Sequence, residues 1–386
     1  MVRRKNEDKP TVAKAVKAPK EKAPGDAQKR RTATIHDIAA RLGVSSMTVS
    51  RVVNGSDEVG PETRERVLAA IKEMNYVPNV AARAARAGVV RIGVLFSNPR
   101  SSNLGEFLMG AFSAGTRLGC QLVVEPTAAH PTGIDAVRSV LAAGVHAVIL
   151  PPPLCDSMEA LEVVWRAQLP AISFATAEPR SHSSAVFIDD FEGARSMTRH
   201  LIDLGHRDIA FVLGNPTHSP SRRREEGFRA AMAEAGLAVP PARLIQGMFT
   251  YRSGMEVGTT LLDCDPAHRP SAIFASNDDM AAGIVAVALS LGIKIPAQLS
   301  VAGFDDTPMA ESIWPPLTTI HQPIAEMAAT AVDLAHDIVK RSRSEGKPDV
   351  THHRCKFALT VRASTGAAPS KKRTEKARSN AGSSKD

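Results

Sequence analysis

The chain has 386 residues, 43 % of them apolar and 4 % aromatic, with a formal net charge of +8. That is room for a module of ~60 residues and one larger body, with a core of mainly Val, Leu, Ile and Ala. No run approaches the ~18–20 apolar residues of a membrane span, and no apolar stretch follows the basic start, so neither a membrane anchor nor a secretory signal is expected. Cys120, Cys155, Cys264 and Cys355 lie far apart without a C-x-x-C pair, which argues for isolated thiols rather than a zinc site or disulfide framework. His352–His353 has no companion ligands at metal-site spacing, so no metal or cofactor is expected.

The charge divides unevenly. Residues 1–31 hold eleven Lys/Arg against four acids, and residues 364–386 hold six against two. Residues 92–363 hold 23 against 28. A faintly acidic body between basic ends points to a polyanion partner or to solubilising tails, and composition alone leaves both readings open. The Lys/Ala/Pro-rich residues 1–31 lack apolar periodicity and are expected to be a disordered basic arm; 364–386 is expected to be a disordered basic tail.

From Thr32 the pattern turns helical. Thr34 is placed to cap a helix carrying Ile35, Ile38, Ala39 and Leu42 on one face. Gly43 supplies the positive φ of a tight turn, and Ser45 caps a second short helix, Ser46 to Val53, with Val49 and Val53 inward. Asn54–Gly55 ends it, and a third helix from about Pro61 to Met74 turns Val67, Leu68 and Ile71 to the core. Helix, short turn, helix is the geometry in which the second helix enters the DNA major groove.

Arg91 opens a second rhythm, short apolar strands alternating with amphipathic helices: RIGVLF (91–96), CQLVVEP (120–126), HAVILPP (146–152), PAISFA (170–175), AVFID (185–189), DIAFVLG (208–214), AIFASN (272–277), LSVAGFD (299–305), LTTIHQ (317–322) and a last strand around 356–362. Such alternation predicts parallel sheets covered on both faces, and the strand number favours two doubly wound subdomains over one sheet. Ligands of such sheets lie beyond the carboxyl ends of the strands, where Ser97, Asn277 and Asp305 follow theirs. No G-x-S-x-G elbow or G-x-x-x-x-G-K-[ST] loop is present, and the paired acids Asp189–Asp190, Asp278–Asp279 and Asp305–Asp306 are sequence neighbours, so no catalytic residue is expected.

TIHDIAARLGVSSMTVSRVVNG, followed by VGPETRERVLAAIKEMNYVPN, resembles the headpiece of lactose-repressor-type transcriptional regulators. The body repeats the likeness in family order with RIGVLF, HLIDLGHRDIAFVLG, EEGFRAAM, FASNDDMAAG, LSVAGFDD and PPLTTIHQP. The resemblance covers about residues 32–363. It implies an all-α helix-turn-helix headpiece (32–78), a hinge helix and linker (79–90), and an α/β effector-binding and dimerisation core (91–363). That core would be two doubly wound parallel-sheet subdomains resembling periplasmic sugar-binding proteins, 91–189 plus 322–350 and 190–321 plus 351–363.

The implied protein is a cytoplasmic, nucleoid-associated repressor of a catabolic operon. It would bind a palindromic double-stranded operator as a homodimer under allosteric control by a small molecule, by family habit a sugar or sugar derivative, with a purine-like or other small metabolite left open, as are inducer and co-repressor. Ser46, Met47 and Arg51 would read base edges, Arg51 by a bidentate bond to guanine. Ser45, Thr48, Ser50, Asn54, Thr63 and Tyr76 would anchor phosphates, with Thr34 and Asn79 at the ends of the DNA-binding stretch. In the hinge, Ala85 stands where the family usually has a leucine wedge. A methyl is a poor wedge, so a weaker kink is expected, with Arg83 and Arg86 supplying minor-groove charge. For the effector the resemblance points to Arg222, Asn277 and Asp305, with Ser97, Asp190 and Ile324 beside them. Phe107 and Trp314 are assigned either to the cleft or to packing of the crossovers.

Overall fold

The computed structural model describes residues 35–53, 59–74, 88–99, 101–344 and 350–369. The chain divides into two compact units, residues 1–83 and 84–386.

The first unit holds α1 (Ile35–Leu42), α2 (Ser46–Val53) and α3 (Pro61–Glu73). Ile38, Val49, Val52, Val67 and Ala70 are buried between them. Gly43 takes φ +66° in the turn after α1, where a side chain would be strained. Ser45 Oγ accepts the Thr48 amide at 3.0 Å, capping α2, and Pro61 opens α3 at its first position. Leu68, expected in the core, is 51 % exposed: Val67 and Ala70 occupy the inward stripe of α3 and Leu68 falls about 100° round from Val67.

The second unit has two parallel sheets. The first runs β11-β5-β4-β3-β1-β2, with β1 Arg91–Phe96, β2 Gln121–Pro126, β3 Ala147–Leu150, β4 Ala171–Phe174, β5 Ser184–Phe187 and β11 His352–Arg354. Helices α4 (Asn103–Leu118), α5 (Gly133–Ala142), α6 (Met158–Arg166) and α12 (Ile324–Ser344) accompany it. The second runs β7-β6-β8-β9, with β6 Ile209–Leu213, β7 Leu244–Gln246, β8 Ala272–Ala275 and β9 Ser300–Ala302. It carries α7 (Asp190–Asp203), α8 (Ser219–Glu234), α9 (Tyr251–Leu262), α10 (Asp278–Ser290) and the short α11 (Pro308–Ser312). The antiparallel pair β10 (Thr319–His321) and β12 (Ala358–Thr360) lies where the chain passes between the two halves. β3 and β4 are buried at every position, as strands covered on both faces must be. Among the described residues no helix is long and apolar enough to cross a membrane.

Several parts of the chain depart from the sequence reading, β7 and α11 among them, for which no strand or helix was expected. Residues 351–354, expected with the second subdomain, add β11 to the first sheet beside β5, Arg354 pairing with Phe187; all three β11 residues are exposed and polar, so this edge strand carries no apolar signature. α9 had no expected counterpart. It is capped by a Thr250–Ser253 box and packs so closely on α10 that a Cβ on Gly254 would lie 2.2 Å from the Met280 carbonyl oxygen. The core also runs past 363. Ser364 is fully buried, its carbonyl accepts the Val301 amide at 2.9 Å, and its hydroxyl donates to the Val301 carbonyl at 2.6 Å, extending the β9 edge.

Candidate functional site

On the first unit, the N-terminal turn of α2 presents Ser46 and Met47, and Met47 is 63 % exposed although apolar. Arg51 is exposed one turn further along, while Thr48, Ser50 and Thr63 are half-buried. Exposed methionine beside polar neighbours is the surface expected of a groove-reading helix. Ser45 is exposed and spends its hydroxyl on the cap and on Thr48 Oγ1 at 2.9 Å. Thr34, Asn54, Tyr76, Asn79, Arg83, Ala85 and Arg86 lie outside the described residues.

On the second unit, a cleft of about 490 Å³ opens at the carboxyl ends of both sheets. The first sheet lends Ser97 after β1, Pro152 after β3 and Phe174 ending β4; Phe107 of α4 stands edge-on to Phe174, ring centroids 4.7 Å apart. The second half lends Arg224 from α8, Phe249, Asn277 after β8 and Asp305 after β9, and the crossover lends Gln322 and Ile324.

Arg224 is the chemical centre of the cleft. Its Nε donates to Asp190 Oδ1 at 2.8 Å, and its Nη1 donates to the Ser276 carbonyl at 2.5 Å and lies 3.4 Å from Asp305 Oδ1. The guanidinium carbon sits 3.6 Å from the Phe304 ring centroid, a cation–π contact on its other face. All three charged side chains are buried, at 6, 3 and 6 % exposure for Arg224, Asp190 and Asp305. Burial raises the Asp190 pKa against the opposing pull of Arg224, and raises that of Asp305 to about 6.

Asp305 is also held by Gln322 Nε2 at 2.5 Å and Asn103 Nδ2 at 2.8 Å. Its φ of +116° is strained for a non-glycine residue and is fixed by backbone bonds to Ile320 and Gln322 of the crossover. Asn277 caps α10 through the Met280 amide at 3.0 Å and donates to the Phe249 carbonyl at 3.3 Å, so its amide both caps a helix and lines the cleft. Ser97 donates to the Pro152 carbonyl at 3.0 Å. His218, also on the wall, has its pKa lowered by burial to about 4 and is neutral at physiological pH.

The structure therefore brings Ser97, Asn277, Asp305 and Ile324 to one cleft, with Asp190 behind Arg224. Arg222 is a correction. It is 58 % exposed and pairs with Glu178 and Glu226 on the surface. Two residues along a helix is a turn of about 200°, so the inward arginine of the SPSRRREEGF stretch is Arg224. Pro220, Arg224, Gly227, Phe228 and Ala231 are all buried, and that stripe is the signal that picks it out. Asn103 had no comparable signal, since it opens a helix rather than closing a strand, whereas Gln322 closes the expected strand LTTIHQ and shares the strand-end signal of Asn277 and Asp305. Phe107 belongs to the cleft, whereas Trp314 is 77 % exposed and belongs to neither the cleft nor crossover packing.

Comparison with known proteins gives two family matches. Residues 34–79 match the model of bacterial regulatory proteins of the lacI family, and residues 198–365 match the periplasmic binding protein-like domain. The chain is 38 % identical over 301 residues to the HTH-type transcriptional regulator DegA of Bacillus subtilis (strain 168), covering 77 % of this chain and 88 % of that one. Among solved structures it is similar to a Lac repressor dimer bound to operator and the anti-inducer ONPF, with TM-score 0.68 and 29 % identity over 87 % of this chain and 100 % of that one. It is also similar to the transcriptional regulator CelR in complex with cellobiose, with TM-score 0.63 and 29 % identity, over 86 % of this chain and 99 % of that one.

Proposed function

Since the chain belongs to the lacI family of bacterial regulatory proteins, which are DNA-binding transcriptional regulators and not enzymes, we propose a specific mode of action for it. It represses a catabolic operon from the cytoplasm by binding a palindromic operator as a homodimer, and a neutral, hydroxylated small molecule, a sugar or sugar derivative, controls that binding from the cleft.

The observation that carries the effector class is the charge around Arg224. Among the described residues, one guanidinium faces two buried carboxylates, Asp190 and Asp305, and no lysine lines the cleft. His218 is neutral there, so a phosphate or carboxylate on the ligand meets surplus negative charge in a low-dielectric site. Hydroxyl groups instead find fixed acceptors in Asp305 and Ser97, donors in Arg224 and Asn277, and apolar walls in Phe107, Phe174 and Ile324. The CelR structure holds cellobiose, which supports the same ligand class here.

For the DNA, Ser46, Met47 and Arg51 read base edges, and Ser45, Thr48, Ser50 and Thr63 hold phosphates. Thr34, Asn54, Tyr76 and Asn79 are assigned to the same surface by position in the sequence, and Arg83, Ala85 and Arg86 to the hinge. Met109 and Phe112 of α4, 71 and 48 % exposed, share a face at i, i+3 spacing and are offered to the second copy of the dimer.

Calorimetric titration of the purified protein with neutral mono- and disaccharides, their phosphate esters and purine bases tests the effector class. At least one neutral sugar is expected to bind more than tenfold tighter than its phosphate ester. Tighter binding of the ester, or of a purine base, refutes the assignment.

A further inference from the structure

Two aspartates reach across the cleft in opposite directions. α8 begins at Ser219, and His218 at its N-cap position makes no side-chain cap. The Ser219 amide instead donates to Asp156 Oδ2 at 2.8 Å and its hydroxyl to Asp156 Oδ1 at 2.9 Å. Asp156 belongs to the other half of the core, in a 3-10 turn (Leu154–Asp156) between β3 and α6. The counterpart lies at α4. Its N-cap residue, Ser102, makes no side-chain cap to its own helix. Its hydroxyl donates to Asp279 Oδ1 at 2.5 Å. Asp279 is the second residue of α10, on the second sheet, and is 8 % exposed.

The first turn of a helix offers amides with no partner inside the helix, and a carboxylate there also meets the positive end of the helix dipole. Here that carboxylate comes, for each helix, from the opposite subdomain. We infer that Asp156 and Asp279 form a reciprocal clasp: each subdomain's carboxylate holds the first turn of a helix of the other, Asp156 through the Ser219 amide and hydroxyl and Asp279 through the Ser102 hydroxyl, so that opening the cleft releases α4 and α8 together. The bond from Asn103 to Asp305 at 2.8 Å lies next to the second contact and joins the same two halves. The clasp closes the cleft through the chain's own groups. An effector then shifts the balance only by its difference in affinity between the clasped and unclasped forms.

Hydrogen-exchange mass spectrometry on the full-length chain, with no ligand added, tests this with Asp279→Asn, Ser102→Ala and Asp156→Asn. Losing a hydrogen bond of ordinary strength corresponds to exchange about fivefold faster. The clasp requires that acceleration at the start of α4 in the Asp279 and Ser102 variants, and also at the start of α8, which neither substitution touches. Asp156→Asn is expected to act reciprocally. Unchanged exchange in β3 shows that the fold is intact, and Ser102→Ala, at a half-buried position, serves if an aspartate variant fails to fold. Acceleration only at the helix whose own contact was removed, or at neither, overturns the clasp.

Discussion

Replacing Arg224 by methionine tests the buried charge cluster directly. Methionine keeps most of the length and apolar volume of the arginine stem, so packing is largely preserved. What disappears is the partner of Asp190 at 2.8 Å and of Asp305 at 3.4 Å, together with the bond to the Ser276 carbonyl at 2.5 Å. Breaking a buried pair from one side leaves an uncompensated charge and costs about 3–5 kcal/mol. At roughly 2–4 °C per kcal/mol for a domain of this class, the core transition is expected to fall by about 6–20 °C at neutral pH. Arg222→Met is the control: an exposed arginine with solvent-screened partners is expected to cost no more than about 0.5 kcal/mol.

The pH dependence gives the experiment a sign. The folded-state pKa of Asp305 is raised to about 6, above the ~3.9 of an unfolded aspartate. Its favourable contribution is therefore fully present below the unfolded value and is lost as pH rises through about 6. Without Arg224 both carboxylates are pushed further up, because the cation that opposed burial is gone. The deficit of Arg224→Met relative to the parent is thus expected to be largest in mildly alkaline buffer and to shrink on acidification, as protonation replaces the missing partner. Thermal unfolding followed by circular dichroism across that range measures it. A deficit that grows in acid, or an equal loss for Arg222→Met, would refute the reasoning.

Three further outcomes are expected on the DNA side. Arg51→Ala should lower affinity for the selected operator by about 1–3 kcal/mol and relax discrimination at one guanine position, read by binding to a set of single-base operator variants. Ala85→Leu should increase operator bending in a circular-permutation mobility assay, because leucine is a wedge and a methyl is not; an equally strong kink in the parent would contradict the weak-hinge reading. Deleting residues 2–30, which hold most of the eleven N-terminal Lys/Arg, should flatten the salt dependence of non-specific duplex binding.

Much of the core was legible because its strands are short apolar runs and its helices amphipathic, and because Ser97, Asn277 and Asp305 lie within a few residues of the carboxyl ends of their strands. What the sequence hid has physical causes. Gly254 and Gly258 make YRSGMEVGTTLL look like a loop, yet they are there so that α9 can approach the backbone of α10 at Met280 and Ile284. His352, His353 and Arg354 form an edge strand through backbone bonds alone, with no apolar alternation to reveal it. Ser364 and Thr365 read as part of a polar tail, but backbone pairing along β9 and hydroxyl bonds bury them. Arg222 and Arg224 differ only in helical phase, which the buried stripe through Phe228 and Ala231 resolves.

The central claim is that one chain couples a small hydroxylated ligand in the Arg224 cleft to sequence-specific DNA binding. Selection of bound duplexes from a random library, repeated with each compound of a panel of sugars and sugar phosphates, tests it most directly. The expected result is a palindromic sequence enriched by the protein alone, and lost or strengthened in the presence of one neutral sugar. No enrichment at any salt concentration, or enrichment that no compound changes, would contradict the account.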